Sequence, residues 1–325
     1  MKEEVKEIRK AENASKLPEK LKDSWLLGIH EDILFLASTM DKSELSDDMF
    51  VYGYSLGNRI TSCMTIKDSA WPESWTQQGN TLYVGTRNGK IVAIDMKAGR
   101  IIGQQKFNNS IDAIAANNQV FAGVNGRGVV KLKRDLKSEA KFYIASEEIV
   151  HAGDTEKYQH LPVTSAITIF NDNIFLFHFS NGKDPCLGDT GCGGLVEVLK
   201  RDLKSQTERK LIPYAVKHAV ADEEGIYFAT SDESNGWIPE GQGDLYSLNP
   251  QNLAYHHVRG EFAAVTSMAR YKGKTLLGLK NGVLASVGDS EKTVCLHNQQ
   301  TAIKGIVIKN DKIYVSAPGK IIELG

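Results

Sequence analysis

The sequence predicts an all-β fold: a seven-bladed β-propeller of four-stranded antiparallel blades. Three observations lead to this prediction. One strand phrase occurs seven times, a second short strand pattern precedes each copy, and no helix-period segment interrupts residues 22–325. Repetition with a period of a few tens of residues is typical of folds whose units bury their apolar faces only by stacking on one another.

The repeated phrase is a polar turn followed by a strand of large apolar residues, which usually ends on a small residue. The copies are HEDILFLA (30–37), QGNTLYVG (78–85), NNQVFAG (117–123), NDNIFLF (171–177), DEEGIYFA (222–229), YKGKTLLG (271–278) and KNDKIYVS (309–316). In the clearest unit, residues 82–85 and 91–94 predict two strands joined by a tight turn at Asn88-Gly89. A third strand is predicted over residues 101–107.

A further short strand is predicted before each unit, and we expect it to be the inner strand of the blade. Its pattern is an apolar residue, usually a polar one, a small residue or histidine, and an apolar residue. The instances are LLGI (26–29), PESW (72–75), IDAI (111–114), VTSA (163–166), VKHA (216–219), VTSM (265–268) and IKGI (303–306). Four strands in seven units, with a thin inner strand, favour blades around a central channel.

The predicted domain organisation is a charged segment over residues 1–21, helical or disordered, followed by one propeller over residues 22–325. The last unit ends after three strands, so we expect a segment within about residues 10–24, or a displaced strand of the first blade, to complete it. An open ring would leave two bare sheet edges. The alternative fold is a β-sandwich. The near-literal repeat LKRDLKS, at residues 132–138 and 199–205, argues against it.

Charge and composition bear on the partner and the compartment. The chain has 39 basic and 40 acidic residues, so no overall positive field would attract nucleic acid or an acidic membrane. The first 22 residues lack an apolar stretch, and no later run reaches membrane-spanning length. We therefore expect no secretory signal, no membrane association and a cytoplasmic location.

Residues 81–102, TLYVGTRNGKIVAIDMKAGRII, resemble a repeat of the quinoprotein-like propellers, which lie close to the WD40-like group. The resemblance implies a propeller fold. The blades lack the Trp-Asp and Gly-His dipeptides of WD40 repeats, and the chain lacks the adjacent cysteines of the quinone-binding enzymes. We therefore expect no cofactor.

In such blades, the turn between the second and third strands and the link to the next blade open on the same side. The long excursions fall on this side, termed the insertion-rich face: residues 38–48, 67–77, 145–161, 183–193 and 231–243. Insertions clustered on one face of a repeat ring indicate a binding face, with neutral decoration as the alternative.

The insertion-rich face carries candidate anchors for a partner. Trp71 and Trp237 lie in polar loops, with His151 and His160 nearby. Tryptophan is enriched among residues that dominate binding energy, although core packing is the alternative for each.

The second position of the inner-strand pattern is expected to form a ring at the channel mouth. Its members are Leu27, Glu73, Asp112, Thr164, Lys217, Thr266 and Lys304. The mixture of carboxylates and amines favours a pocket for a polar ligand or for a side chain of a partner, and a wet, functionless mouth is the alternative. His218, beside Lys217, is the best candidate for proton transfer if chemistry occurs.

Two smaller features allow more than one interpretation. Cys186 and Cys192 in DPCLGDTGC favour a disulfide that staples the loop, and free thiols are the next alternative. A zinc site would also need His178, His151 or His160 as ligands, and no metal is predicted. Basic residues in the two LKRDLKS turns, on the opposite face, indicate solvated turns or a docking patch for an acidic partner: Lys133, Arg134, Lys137, Lys200, Arg201 and Lys204.

Three classes of function agree with these features. The preferred one is a noncatalytic scaffold that binds a protein or peptide on the insertion-rich face, because no catalytic or phosphate-binding motif is present. The alternatives are an enzyme, a hydrolase or lyase, and a small-ligand sensor, both with a polar pocket at the channel mouth. The fold alone does not choose among them.

Overall fold

A computed structural model of the chain describes most of its residues. The described residues are 13–41, 44–57, 59–125, 127–136, 141–143, 147–150, 157–160, 163–179, 194–203, 206–212, 215–231, 242–288, 293–298 and 301–325. They form seven four-stranded antiparallel sheets, which confirms the predicted seven-bladed β-propeller.

The strands are numbered in chain order. The chain begins with β1 (Asn13–Lys16) and a short 3-10 helix (Glu19–Leu21). Blade 1 contains β2 (Trp25–His30), β3 (Ile33–Asp41), β4 (Glu44–Ser55) and β5 (Arg59–Ile66). Blade 2 contains β6 (Pro72–Gln78), β7 (Thr81–Thr86), β8 (Lys90–Asp95) and β9 (Arg100–Lys106). Blade 3 contains β10 (Ile111–Ala116), β11 (Val120–Val124), β12 (Gly128–Leu132) and β13 (Lys141–Tyr143).

A separate two-stranded hairpin lies between blades 3 and 4, formed by β14 (Glu147–Val150) and β15 (Lys157–His160). Blade 4 contains β16 (Val163–Phe170), β17 (Asn173–Phe179), β18 (Gly194–Lys200) and β19 (Gln206–Ile212). Blade 5 contains β20 (Ala215–Asp222), β21 (Gly225–Ser231), β22 (Gln242–Leu248) and β23 (Tyr255–Ala263). Blade 6 contains β24 (Val265–Tyr271), β25 (Lys274–Leu279), β26 (Val283–Val287) and β27 (Thr293–Asn298). Blade 7 contains β28 (Ile306–Lys309), β29 (Lys312–Ala317) and β30 (Lys320–Leu324).

The ring is closed by a strand from the beginning of the chain. β1 pairs antiparallel with β30, from Asn13 opposite Glu323 to Lys16 opposite Lys320. This strand supplies the outer edge of blade 7, within the range of residues that the sequence indicated. Leu17 and Leu21 follow it and are buried between blades 7 and 1, so the closure is held by apolar packing as well as by backbone pairing.

The hydrophobic core is distributed between the blades. Seven main clusters of buried side chains among the described residues each combine apolar residues from two neighbouring blades. In the first cluster, Phe35 and Val51 of blade 1 pack on Leu82 and Val92 of blade 2. No blade buries its faces alone, which is the physical reason for the repetition in the sequence.

Two turn predictions need correction. In the hairpin at Asn88-Gly89, only Gly89 has a positive φ, +82°, and its N–H donates to the Thr86 carbonyl. This is the longer loop in which glycine follows the turn. The excursion at residues 38–48 is in part an extension of the β3–β4 hairpin, because Met40 pairs with Leu45.

The two LKRDLKS turns have a structural role on the opposite face. Leu136 and Leu203 each adopt a positive φ and are buried, while their N–H groups close the turns. The carbonyl of Arg134 accepts a bond from Tyr83 Oη of blade 2 at 3.1 Å. Lys131 Nζ of blade 3 donates to the Arg201 carbonyl of the second turn, so each turn is bonded to the preceding blade.

Candidate functional site at the channel mouth

The channel mouth is shaped by a β-bulge in the inner strands. In six blades the pairing of the inner strand with its neighbour shifts by one residue at its beginning. The residues skipped by the pairing are Leu27, Glu73, Asp112, Ser165, Lys217 and Thr266. A β-bulge changes the direction in which a side chain points, so the skipped residue is oriented differently from the other residues of its strand.

Two members of the predicted ring need correction. Leu27 is buried in the apolar cluster between blades 1 and 2, and in blade 4 a different residue takes the bulge position. Thr164 pairs with His178 across the β16–β17 ladder, and the skipped residue in blade 4 is Ser165. Ser165 and Thr266 make equivalent contacts. Each hydroxyl donates to the carbonyl of the residue that begins the inner-strand pattern of the following blade, Val216 for Ser165 and Ile303 for Thr266. Thr164 was misaligned because blades 4 and 6 both carry the letters VTS, while the bulge in blade 4 lies one residue later.

Thr164 belongs instead to a buried polar network in blade 4. Its Oγ1 lies 3.1 Å from His178 Nδ1, and His178 Nε2 lies 3.3 Å from Glu197 Oε2. All three residues are at most 3% exposed. Burying a carboxylate is costly unless hydrogen-bonding partners compensate for the lost water. The network therefore has a structural role inside blade 4.

Glu73 and Trp71 form the best-defined part of the mouth. Trp71 Nε1 donates to Glu73 Oε1 at 2.9 Å, and Arg87 Nη1 lies 3.5 Å from the same oxygen. The Arg87 guanidinium also lies 6.0 Å from the centre of the Trp71 ring. Burial raises the pKa of Glu73, and the Trp71 hydrogen bond opposes this shift.

Asp112 is held by its own blade. Ser110 Oγ donates to Oδ1 at 2.7 Å, and Asn125 Nδ2 donates to Oδ2 at 2.8 Å. Both carboxylate oxygens therefore have a partner, and the side chain is fixed at the mouth with 9% exposure. Sequence reasoning identified Asp112 but missed Ser110 and Asn125, which carry no pattern of their own.

Lys217 lies on blade 5 and interacts with the acidic residues of blades 2 and 3. Burial lowers the pKa of the Lys217 amine, while the charges of Asp112 and Glu73 oppose that shift. The three predicted residues are therefore brought together in space, although the chain separates them widely.

His218 hydrogen-bonds to the backbone of Val265 in blade 6. Burial, reinforced by the charge of Lys217, lowers the pKa of His218 to about 4. The imidazole is thus neutral at physiological pH. Its contact resembles that of Ser74, whose hydroxyl donates to the Ile111 carbonyl of the next blade at 2.8 Å. This geometry gives His218 a structural role between two blades.

Lys304 lies on the other side of the ring, beside blade 1. Its Nζ is 3.2 Å from the Asp23 carbonyl and 4.9 Å from the centre of the Trp25 ring. Burial lowers the pKa of Lys304, and the Asp23 charge opposes the shift. Lys304 is separate from the group formed by Glu73, Asp112 and Lys217.

A cavity of about 580 Å³ runs along the inner strands of blades 2 to 7. Glu73, Asp112 and Lys217 line its mouth. At its other end, Arg270 Nε bonds to Asp222 Oδ2 at 2.6 Å, and the guanidinium lies 3.9 Å from the centre of the Tyr227 ring. The charges at that end are paired with one another and join blades 5 and 6.

Several predicted site residues lie outside the described part of the chain: His151, Trp237, Cys186 and Cys192. His160 is described by its backbone, in β15. Within the described residues, no three histidine, cysteine or acidic side chains are grouped closely enough to hold a metal ion. No helix in that part of the chain is long and apolar enough to cross a membrane.

Comparison with known proteins shows how far the fold is shared. No family model matches the chain, and no curated protein is detectably similar to it in sequence. Among solved structures, 1365 chains are significantly similar. A fold that occurs so widely hosts many functions, so similarity of this kind does not indicate an activity.

Three similar structures illustrate the range. A chain in the crystal structure of the mitotic checkpoint complex has a TM-score of 0.64 and 12% identity, covering 99% of this chain and 94% of that one. The Cps50 (Swd1) β-propeller domain of Myceliophteria thermophila has a TM-score of 0.63 and 10% identity, with 94% and 99% coverage. BamB from Moraxella catarrhalis has a TM-score of 0.56 and 12% identity, with 96% and 98% coverage. At these identities the similarity shows a β-propeller repeat fold alone.

Proposed function

We propose that this protein is a noncatalytic interaction scaffold that binds a protein or peptide on its insertion-rich face, around the channel mouth. The observation that carries the proposal is Trp71, a large aromatic side chain that is 45% exposed and is oriented by Glu73. Tryptophan and arginine are the residues most enriched among those that dominate binding energy, and Trp71 and Arg87 lie together at this rim.

The features of the opposite face support the choice of the insertion-rich face as the binding face. On the opposite face, Leu136 and Leu203 of the LKRDLKS turns are buried, and Arg270 is bonded to acidic residues of the neighbouring blade. A similar chain belongs to a complex named for the mitotic checkpoint, which agrees with propellers as components of assemblies.

The rest of the proposal follows from the sequence. The repeats are assigned to the quinoprotein-like or WD40-like group. Residues 22–325 act as one propeller domain together with the closing strand β1, which comes from the charged segment 1–21. The protein acts in the cytoplasm, and its partner is a protein or peptide rather than nucleic acid or a membrane, because the net charge is −1.

Charge reversal on the two faces tests the proposal. Wild-type protein, Arg87→Glu on the insertion-rich face and Arg134→Glu on the opposite face would each be used to capture partners from an extract of the source organism. We expect Arg87→Glu to lose the captured protein and Arg134→Glu to retain it. The reverse pattern would assign binding to the face with the LKRDLKS turns.

A second candidate function is an enzyme, a hydrolase or lyase, or a small-ligand sensor. The observation that favours it is a desolvated amine and a desolvated carboxyl at one cavity, Lys217 and Glu73. Calorimetry of the wild type and of the Lys217→Ala, His218→Ala double variant against a metabolite library distinguishes the two. A metabolite that binds the wild type and not the variant would favour the pocket over the scaffold.

A further inference from the structure

The exposed indole of Trp71 is oriented before any partner binds. The hydrogen bond from Nε1 to Glu73 Oε1, at 2.9 Å, fixes the plane of the ring at the rim of the cavity. An aromatic ring that is both exposed and held in place loses little conformational entropy on binding. Trp71 is therefore well suited as a contact surface, and the remaining question is the chemistry of the group that it contacts.

The hydrogen bonding of Glu73 indicates that chemistry. Trp71 and Arg87 both approach Oε1, and no described residue donates a hydrogen bond to Oε2. Glu73 lines the cavity and its side chain is 19% exposed. A partly buried carboxylate with an unused oxygen gains a charge-assisted hydrogen bond when a cation reaches it.

Arg87 shows that this place accommodates a cation. Its guanidinium lies over the Trp71 ring at 6.0 Å and 3.5 Å from Glu73 Oε1. An indole ring has two faces and a carboxylate has two oxygens. Arg87 contacts one face of the Trp71 ring and one oxygen of Glu73. A second cation has the same two kinds of contact available, a ring face and an oxygen.

The balance of charges at the mouth also favours a cation over an anion. The cations Arg87 and Lys217 already interact with the carboxylates of Glu73 and Asp112. An incoming anion would have to compete with the carboxylates for these cations. An incoming cation also lies near two like charges, but it reaches Glu73 Oε2, to which no described residue donates a hydrogen bond, so it breaks no existing contact.

We propose that Trp71, Glu73 and Arg87 form a socket for a positively charged side chain, lysine or arginine, presented by the polypeptide that binds the insertion-rich face. This inference rests on the proposed function, since it names the part of the partner that enters the mouth. The cation contacts Trp71 through its ring and Glu73 through Oε2.

The test uses blocked pentapeptides, acetyl-Gly-Gly-X-Gly-Gly-amide, in which X is arginine, lysine, glutamine or glutamate. The indole N–H signal of Trp71 reports binding by NMR, and it is assigned with Trp71→Phe. We expect the arginine and lysine peptides to bind about tenfold more tightly than the glutamine peptide, a factor typical of one cation–π contact with one charge-assisted bond. The arginine and lysine titrations identify which cation is preferred.

Glu73→Gln keeps the shape of the side chain and removes its charge, so it should abolish most of the preference for cationic peptides. Trp71→Phe keeps a ring without the N–H and should weaken binding less. Because this variant lacks the indole signal, its binding is measured by calorimetry. Asp311→Asn, an acidic residue on a turn of the opposite face, is the matched control and should leave binding unchanged. Thermal unfolding checks that each variant is folded.

Equal binding of the glutamine and arginine peptides, tighter binding of the glutamate peptide, or unchanged binding by Glu73→Gln would each overturn the socket. The experiments distinguish failure of the socket hypothesis from failure of the scaffold hypothesis. If Glu73→Gln still captures the partner that Arg87→Glu loses, the socket is wrong and the scaffold stands. If cationic peptides bind and no partner is captured on either face, the scaffold is wrong.

Discussion

Lys217 of blade 5 and Glu73 of blade 2 influence each other's ionisation across the channel mouth. The positive charge of Lys217 lowers the pKa of Glu73, and the negative charge of Glu73 raises the pKa of Lys217. Burial has the larger effect on both groups and acts in the opposite direction. The relationship exists only because the ring brings two non-adjacent blades to one opening.

Lys217→Met should therefore raise the pKa of Glu73 further, because the side chain keeps its length and loses its charge. Carbon-detected NMR of the Glu73 carboxyl during a pH titration measures the change. Lys133→Met, on the opposite face, is the control and should leave Glu73 unaffected. An unchanged Glu73 titration in Lys217→Met would mean that the two groups do not share the mouth.

His218 makes stability depend on pH. Its pKa is about 4 in the folded protein, below the ordinary value of 6.5, so the unfolded chain binds the additional proton between these values. The stabilisation is complete above pH 6.5 and is lost as the pH falls, by about 2 kcal/mol between pH 7 and pH 5.

Urea unfolding at a series of pH values tests this. His218→Gln should remove that part of the loss. The raised pKa of Glu73 acts with the opposite sign, stabilising the protein at low pH, so the difference between wild type and variant isolates His218. Parallel curves for wild type and His218→Gln would refute the assignment.

The closure of the ring depends on Leu21 as well as on β1. Leu21 is fully buried between blades 7 and 1. Leu21→Ala should lower the free energy of unfolding by about 3 kcal/mol, the usual result for a buried leucine. Glu19→Ala, in the same short helix but exposed, should change it by less than about 0.5 kcal/mol. Similar effects for the two variants would argue against this closure.

The LKRDLKS turn of blade 3 packs directly on Gly103 of blade 2. A Cβ added to Gly103 would lie 2.1 Å from the Asp135 carbonyl oxygen. Gly103→Ala should therefore destabilise the protein by about 3 kcal/mol, because the obstacle is backbone. At Gly57 the nearest atom to an added Cβ is Ser55 Oγ, at 3.4 Å, so Gly57→Ala is the control. Chemical denaturation compares them, and equal midpoints would show that the turn does not lock the blades.

The sequence was sufficient to predict the fold because the repeat reflects the packing itself: each blade must present the same apolar faces to its neighbours. The closing strand was predicted by counting the strands of the last blade. The group of Glu73, Asp112 and Lys217 was predicted from equivalent positions. Contacts made by single side chains were not predictable, such as Ser110 with Asp112 or Arg87 with Trp71, because no periodic pattern marks them.

The misplacement of the bulge in blade 4 has an identifiable cause. Alignment by residue letters equated Thr164 with Thr266, whereas the ladder equates Ser165 with Thr266. Counting back from the end of the inner strand gives the correct position, since Ser165 precedes Phe170 by the same number of residues as Thr266 precedes Tyr271. In these two blades the bulge keeps its distance from the turn at the end of the inner strand and not from the first residue of the strand.

The central claim is that a partner binds around the channel mouth. A photoreactive phenylalanine analogue placed at Asn88, an exposed position beside Arg87, and in a second protein at Arg134, measures this directly. Each protein is irradiated with the captured partner, and the cross-links are mapped by mass spectrometry. Cross-links from position 88 and none from position 134 are expected. Cross-links from position 134 alone would place the partner on the opposite face and contradict the account.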